Sequence, residues 1–254
     1  MAQTADSDSG SFEDIKRIDP AALLYGVQKM FGEKARAKTK EAYGPLIGVH
    51  LLVARVLAAC LLRTNAIVTS ATATSEQRNA LFAAFVIGLT ACESAIEEAR
   101  YLQAHALLRQ ELEILAQLGA VRDGRRRPNS SPNVMALEES LRRLYGDLSA
   151  AAHVSRHDII ESVTLWNGPT DDLPGPTHMT RYFPEADEGL ARRSFALHLY
   201  MMIRLIEELN LDLEERHPDH VVTEDERAAL NRAVMLMVEE RLFEWDIEKS
   251  EGRD

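Results

Sequence analysis

The chain has 254 residues, of which 46% are hydrophobic and 27% charged, and its formal net charge is −11. Thirteen Gly and nine Pro are too few for a typical β-sandwich or a disordered chain, and the apolar share is enough for a sizeable core. The acidic balance disfavours non-specific binding to nucleic acid or to an anionic membrane.

The amino terminus, MAQTADSDSG, is polar and shows no secretory signal. We expect residues 1–11 to form a disordered tail and residues 12–250 to form a single all-α domain. The two cysteines, Cys60 and Cys92, lie in apolar helical runs. This placement favours buried free thiols and a reducing, cytoplasmic location.

Capping residues in the sequence predict where two helices begin. Asp19 followed by Pro20 supplies a side-chain cap and a proline at the first helical position, and Thr223 with Glu226 forms a capping box. Ser75 is a plausible cap for a third helix. Helical periodicity is predicted over seven stretches: 20–39, 45–66, 76–98, 101–121, 132–155, 184–213 and 223–248.

The most apolar stretch, residues 45–62, is long enough to be considered as a membrane span. It carries His50 and Arg55 near its middle, and a central Arg costs several kcal/mol in lipid, about 2.5–3.5 on insertion scales. The sequence therefore predicts a buried helix of a bundle, with no membrane contact.

Residues 158–183 interrupt the helical pattern. They contain IIESVTLW, a Pro/Gly-rich turn and THMTRYF, which fit a small hairpin or a long irregular loop about equally well. The sequence thus predicts an all-α fold: a single helical bundle of about six to eight helices, with one short hairpin or irregular insertion at 158–183. We also expect a homo-oligomer, most simply a homodimer, and no cofactor.

The helix at 101–121 carries unusual polar groups. On a helical wheel Glu111 falls inside the apolar arc, where a carboxylate is costly unless it is paired or protonated. Glu111 is therefore predicted to meet a basic side chain from another helix, or to face a cavity or an interface. Arg109 and Glu113 share the other face at i, i+4 spacing, one turn after His105, as an exposed ion pair or as part of a site.

The stretch 146–153, GDLSAAAH, is rich in small residues that let another helix approach closely. Ser149 and His153 lie on a polar seam of this helix, which can meet the face that carries Arg109. His157 follows His153 at a spacing that suits metal ligands, but no Cys or HExxH glutamate accompanies the two histidines. We therefore expect no metal site, and His153 is either a hydrogen-bonded structural residue or a catalytic one.

Short motifs in the middle of the chain, across about residues 79–213, resemble those of a group of uncharacterised bacterial all-helical proteins. Such proteins carry an LLRxxxE helix followed by a YxxLSxxxH helix, and are similar in outline to the HEPN superfamily, which includes toxin and anti-phage ribonucleases. The matching positions here are Leu107, Leu108, Arg109 and Glu113, then Tyr145, Leu148, Ser149 and His153.

The HEPN resemblance implies an R-x4–6-H motif at a dimer interface. Three pairs have this spacing here, and chance alone supplies about two such pairs in a chain of this composition. Arg109 and His153 could form an equivalent pair only across two helices, which departs from the family motif. The three pairs are Arg100 with His105, and Arg192 or Arg193 with His198.

The loop RDGRRRPNSSP holds the one cluster of basic residues. In an acidic protein such a cluster is either a solvated loop or a local contact with RNA or another anion. Its basic residues are Arg122, Arg125, Arg126 and Arg127.

Two functions from different classes follow. The first is a cytoplasmic helical-bundle interaction or regulatory protein with a protein partner, acting in bacterial defence or stress response. The second, which the resemblance implies, is a HEPN-like metal-independent ribonuclease with Arg109, Glu113, Ser149 and His153 as candidate catalytic residues. The two differ in geometry, because an enzyme needs Arg and His in reach of one phosphate and open to solvent.

Overall fold

The computed structural model describes residues 19–65, 72–126, 132–134, 137, 139–153, 155, 157–168 and 177–240. The predicted tail at 1–11, Arg127 and the end of the last predicted helix at 241–248 lie outside these residues. The described part forms an all-α bundle, as predicted. Its elements are α1 (Pro20–Tyr43), α2 (Leu46–Asn65), α3 (Ala73–Glu97), α4 (Tyr101–Arg122), α5 (Glu139–Ala152), α6 (His157–Thr164), β1 (Leu165–Gly168), β2 (Thr177–Thr180), α7 (Glu188–Arg216) and α8 (Glu224–Glu239).

The helix starts follow the capping chemistry of the sequence. The Asp19 carboxylate accepts a hydrogen bond from the backbone N–H of Ala21, and Thr223 forms the predicted capping box with Glu226. The cap of α3 is Thr72 and not Ser75, because Ser75 stands at the third helical position. The Thr72 hydroxyl accepts from the backbone N–H of Ser75, and the Ser75 hydroxyl accepts from the backbone N–H of Thr72.

In the insertion at 158–183, the described residues contain a pair of antiparallel strands, which agrees with the hairpin alternative, preceded by a short helix. Strands β1 and β2 pair antiparallel with Leu165 opposite Thr180. The residues just before β1 are helical and form α6, whereas the hairpin alternative took IIESVT as extended and the loop alternative as irregular. Ile159, Ile160 and Val163 lie at i, i+1 and i+4, which suits one side of a helix as well as it suits a strand.

Helix α7 occupies the centre of the bundle and contacts α1, α2, α3 and α4. Its buried residues continue around the helix through most of its length, as expected for a helix with neighbours on several sides. Helix α4 packs between α3, α5 and α7 and is also largely buried. The main core therefore lies around α7 and α4. Its largest fully buried side chains are Phe85, Leu46, Ile96, Leu108, Leu112, Leu118, Leu141, Leu199, Met201, Met202, Leu205 and Ile206.

Helices α3 and α4 are separate, with a reversal of direction at Glu98–Arg100 rather than one continuous helix. The backbone N–H of Arg100 donates to the carbonyl of Ala95 and that of Ala99 to Ile96, which closes the end of α3. Ala99 has a φ of 55°, a left-handed conformation that costs a residue with a Cβ about 1–2 kcal/mol. This tight reversal lays α4 back along α3.

Helices α2 and α3 have outer faces that the rest of the described chain leaves uncovered. Both are long and apolar enough to cross a membrane by length and composition, which is weak evidence because core helices of soluble proteins pass the same test. Only 33% and 28% of the residues in their most apolar windows are buried. Each helix therefore presents apolar surface outward as well as inward.

Candidate functional site

The predicted seam between α4 and α5 forms around the guanidinium of Arg109. Its Nε donates to Oε1 of Glu113 at 2.9 Å, and its Nη1 lies 2.9 Å from Nε2 of His153. Its Nη2 donates to the hydroxyl of Tyr145 at 3.3 Å. Arg109 thus joins one residue of its own helix to two residues of the next segment.

Tyr145 closes this polar cluster. Its hydroxyl donates to Oε1 of Glu113 at 3.0 Å, and Cζ of Arg109 lies 5.4 Å from the centre of its ring. In the sequence only the family resemblance marks Tyr145, whereas in the structure its hydroxyl contacts both Arg109 and Glu113.

The seam is open to solvent at its edge. His153 is exposed, and the side chains of Arg109 and Glu113 keep 23% and 25% of their surface accessible. Because a guanidinium can only donate, Nε2 of His153 is the acceptor in this contact. The Ser149 hydroxyl makes no hydrogen bond to these three residues. Ser149 contributes its backbone carbonyl, which accepts from the N–H of His153 at 2.9 Å.

Arg109 keeps binding capacity. Three of its five N–H groups are occupied by Glu113, His153 and Tyr145, and the other two have no partner among the described residues. Burial would lower the pKa of Arg109, but Tyr145 and Glu113 outweigh that effect and raise it. The site therefore offers a permanent positive charge with free donors beside an imidazole, which is suited to one oxyanion.

The other predicted positions do not join this site. His153 follows the end of α5 and His157 begins α6, so the two histidines are not one turn apart on a single helix. Of the basic loop, Arg122 pairs with Glu208 and Arg125 with Asp123, so part of its charge is neutralised.

A second and fully buried polar cluster lies in the core. Nδ1 of His198 on α7 lies 2.9 and 3.0 Å from the two carboxylate oxygens of Glu111 on α4. His198 is 0% and Glu111 3% exposed. The prediction that Glu111 meets a basic side chain from another helix is therefore correct, and His198 is that side chain.

Two more residues extend the core cluster toward the surface. Oε1 of Glu93 lies 3.5 Å from Nε2 of His198 and 3.0 Å from Nε2 of His50, which is on α2. Burial alone would raise the pKa of Glu93, but its close contacts with His198 and His50 outweigh burial and lower the pKa to about 2. Burial also opposes the charged form of His198, yet the Glu111 carboxylate raises its pKa well above the usual value.

Cys92 completes this cluster. The ligand atoms of Cys92, Glu111 and His198 all lie within 4.8 Å of one another, and all three residues are buried. Burial raises the pKa of the Cys92 thiol to about 11, so the thiol is neutral beside the His198–Glu111 ion pair. Among the described residues, these three are the group that could hold a metal ion.

In the R-x4–6-H pairs of the sequence, the Arg and the His do not contact a common group. Arg192 binds the carbonyl of Ala42 and the carboxylate of Glu240, whereas His198 faces the core. Arg100 pairs with Glu98.

Comparison with known proteins shows no match to a family model, to a curated protein or to a solved structure.

Proposed function

We propose that this protein is a helical interaction module that pairs with a second copy of itself through the outer faces of α2 and α3. The observation that carries this proposal is a largely apolar groove between the two helices, which α7 also lines. The groove measures about 500 Å³; its apolar lining includes Leu62, Phe82, Ala83, Ile87 and Leu213, and Asp212 and Arg216 of α7 also line it.

The walls of the groove expose side chains that water solvates poorly. Leu62 on α2 is 74% exposed and Ile87 on α3 is 79% exposed. From Asn79 to Cys92 there is no charged residue on any face of α3. Contiguous exposed apolar surface of this kind is typical of an interaction site rather than of a solvated helix.

The small residues on the outer face of α3 let another helix come close. Ala80, Ala83, Ala84 and Ala91 are all exposed and flank Ile87. On α2, Leu51 and Leu62 lie on one stripe with Arg55 between them. A helix of a partner can therefore rest against α3 while its larger side chains enter the groove.

Charge favours a second copy over a lipid surface as the occupant. The chain carries a net charge of −11, which repels anionic lipids, and the exposed Arg55 lies in the middle of the apolar stripe. The outer face of α3 carries no acidic residue between Asn79 and Cys92, so two acidic chains can meet there without placing like charges opposite each other. A two-fold axis would then set the same face of each copy against the other.

The test is the mass of the full chain in solution by light scattering, compared between wild type and the variant Leu62→Glu/Ile87→Glu. We expect twice the chain mass of 28.4 kDa for wild type and the single mass for the variant. Met235→Glu is the matched control, because Met235 is 58% exposed on α8 and does not line the groove. A wild type that stays monomeric at tens of micromolar, or a variant that still dimerises, contradicts the proposal, and so does sedimentation with neutral lipid vesicles.

The seam favours a second candidate function, a metal-independent ribonuclease. Nη1 of Arg109 lies 2.9 Å from Nε2 of His153 at a solvent-exposed edge. Two N–H groups of Arg109 have no partner among the described residues. In such an enzyme His153 would take the proton of the ribose 2′-hydroxyl as that oxygen bonds to phosphorus, and Arg109 would stabilise the charge on the phosphate. The P–O5′ bond would break, and the leaving 5′-oxygen would take a proton from water. Glu113 and Tyr145 would hold the guanidinium in place.

A labelled single-stranded RNA incubated with the protein in the presence of a chelator tests this candidate. Cleavage by wild type that is lost in His153→Asn and Arg109→Lys, but kept in His157→Asn, would support it. The absence of cleavage by wild type, or cleavage that survives both substitutions, would rule it out.

A further inference from the structure

We propose that Cys92, Glu111 and His198 bind one divalent transition-metal ion of the zinc class in the core of the bundle. Each residue comes from a different helix, α3, α4 and α7 respectively. A thiolate, a carboxylate and an imidazole together select Zn²⁺, Co²⁺ or Fe²⁺ over Mg²⁺ and Ca²⁺, which prefer oxygen ligands alone.

The distances suit an ion at the centre of the three groups. Zinc bonds of about 2.0–2.3 Å put tetrahedral ligand atoms about 3.3–3.8 Å apart. The three ligand atoms here lie within 4.8 Å of one another, so small side-chain movements of about an ångström bring them to that spacing. Both oxygens of Glu111 face Nδ1 of His198, which lets the carboxylate bind through one oxygen or through both.

The environment of the His198 ring supports the ion independently. In the His198–Glu111 ion pair the Nδ1–H group points at Glu111, while the buried Nε2–H group lies 3.5 Å from Oε1 of Glu93 and makes no well-formed hydrogen bond. Such an unpaired group is costly in a core. If Nδ1 binds the ion instead, its proton is the one released, and the proton that stays on Nε2 can be donated to Oε1 of Glu93, now 3.5 Å away. Glu93 is itself held by His50, and a carboxylate behind a ligating histidine is a recurrent arrangement in zinc sites.

The charges balance. An ion of charge +2, the Cys92 thiolate and the Glu111 carboxylate sum to zero, with a neutral His198. The metal-free cluster is also neutral, with a His198–Glu111 ion pair and a Cys92 thiol. Binding one ion therefore releases two protons to solvent, one from the thiol and one from the imidazolium, and leaves no uncompensated charge in the core.

The burial of the ligands indicates a structural ion rather than a catalytic one. Cys92 and His198 are 0% exposed, so no substrate reaches the ion without opening the bundle. An ion here would link the α3–α4 pair to α7, the central helix. The sequence-based expectation of no metal rested on spacing along one segment, and these ligands lie far apart in sequence.

The test uses the full chain refolded with one equivalent of zinc or cobalt and freed of excess ion by gel filtration. We expect about one ion per chain, a higher Tm than with chelator, and a sulfur-to-cobalt charge-transfer band in the near-ultraviolet spectrum. Cys92→Ser should lose the band and bind the ion at least about tenfold more weakly. Cys60→Ser, which changes the other buried cysteine, should keep all three properties.

Each outcome decides the proposal. Zinc bound equally by Cys92→Ser and wild type, or no ion retained by wild type, would overturn it. If Cys92→Ser does not fold, the cobalt spectrum of the Cys60→Ser variant decides, because Cys92 is then the one thiol in the chain. A cobalt complex of that variant without a thiolate band contradicts the site.

Discussion

The guanidinium of Arg109 and the imidazole of His153 share a 2.9 Å contact across the α4–α5 seam, although 44 positions separate them in the chain. The contact lies at an exposed edge, and its partners Glu113 and Tyr145 come from the same two helices. This geometry is compatible with a structural role and with a catalytic one, so the two must be separated by experiment.

Replacing His153 with Ala should lower the unfolding free energy by about 0.5–1.5 kcal/mol, the net value of one hydrogen bond. The loss is modest because His153 is exposed and water can solvate the donor that it leaves on Arg109. Urea unfolding followed by circular dichroism measures the change. His157→Ala is the control, since His157 is also exposed and lies outside the seam, and it should leave stability unchanged. A larger loss for His157→Ala than for His153→Ala would contradict the assignment of the seam.

Replacing Glu111 with Gln should cost about 3–5 kcal/mol in chelator, because it leaves the His198 charge buried without its carboxylate. The double variant Glu111→Leu/His198→Leu should be clearly more stable than Glu111→Gln, since it removes both charges from the core. Chemical denaturation of the three proteins checks the order. Equal stability of wild type and Glu111→Gln would show that the pair does not form.

The contact between Arg63 and Glu226 predicts a specific acid sensitivity. The two Nη atoms of Arg63 donate to the two oxygens of Glu226 at 2.7 and 2.9 Å, and this bond lowers the pKa of Glu226 below its usual 4.5. A lowered pKa contributes stability above pH 4.5, and that contribution is lost as the pH falls through the folded-state value.

Glu226→Gln should therefore be less stable than wild type at pH 7, and the difference should shrink as the pH falls below about 4.5. Thermal melts between pH 3 and 7 measure it. Glu224→Gln is the control, because Glu224 is exposed in the same first turn of α8. A difference that is constant across this range would argue against the ion pair.

Asp212 and Glu215 both bind Arg78, but only the first is buried. The Asp212 side chain is 1% exposed, and its Oδ1 lies 2.9 Å from Nε of Arg78. The Glu215 side chain is 64% exposed, and its Oε2 lies 2.8 Å from Nη1 of Arg78. We expect Asp212→Asn to destabilise by about 2–4 kcal/mol and Glu215→Gln by at most about 1 kcal/mol. Urea midpoints compare them, and equal effects would contradict this ranking by burial.

The fold was predictable because most of its signals are local. Caps at Asp19 and Thr223 and long periodic stretches place the helices within a few residues. The errors fall on short or weakly marked segments. Helix α6 has eight residues rich in Ile and Val, whose pattern also suits a strand, and α5 begins at Glu139 rather than at 132.

The two polar clusters differ in how far the sequence reveals them. Arg109 lies on α4 and His153 directly follows α5, the next helix in the chain, so the helix faces and the small residues of α5 were enough to predict contact. For the core cluster, the sequence contained only one indication, which was the carboxylate of Glu111 on the apolar face of its helix. Its partner His198 arrives from α7, and only the packing of distant helices brings the two together.

The reversal at Ala99 also suggests an order of assembly. Because only three residues separate α3 from α4, the loop that joins them closes at little entropic cost and the hairpin can form early in folding. Cys92 and Glu111 both belong to that hairpin, whereas His198 must cross a much longer stretch of chain to reach them. The imidazole of His198 would thus contact Cys92 and Glu111 late in folding, when α7 packs against the α3–α4 hairpin.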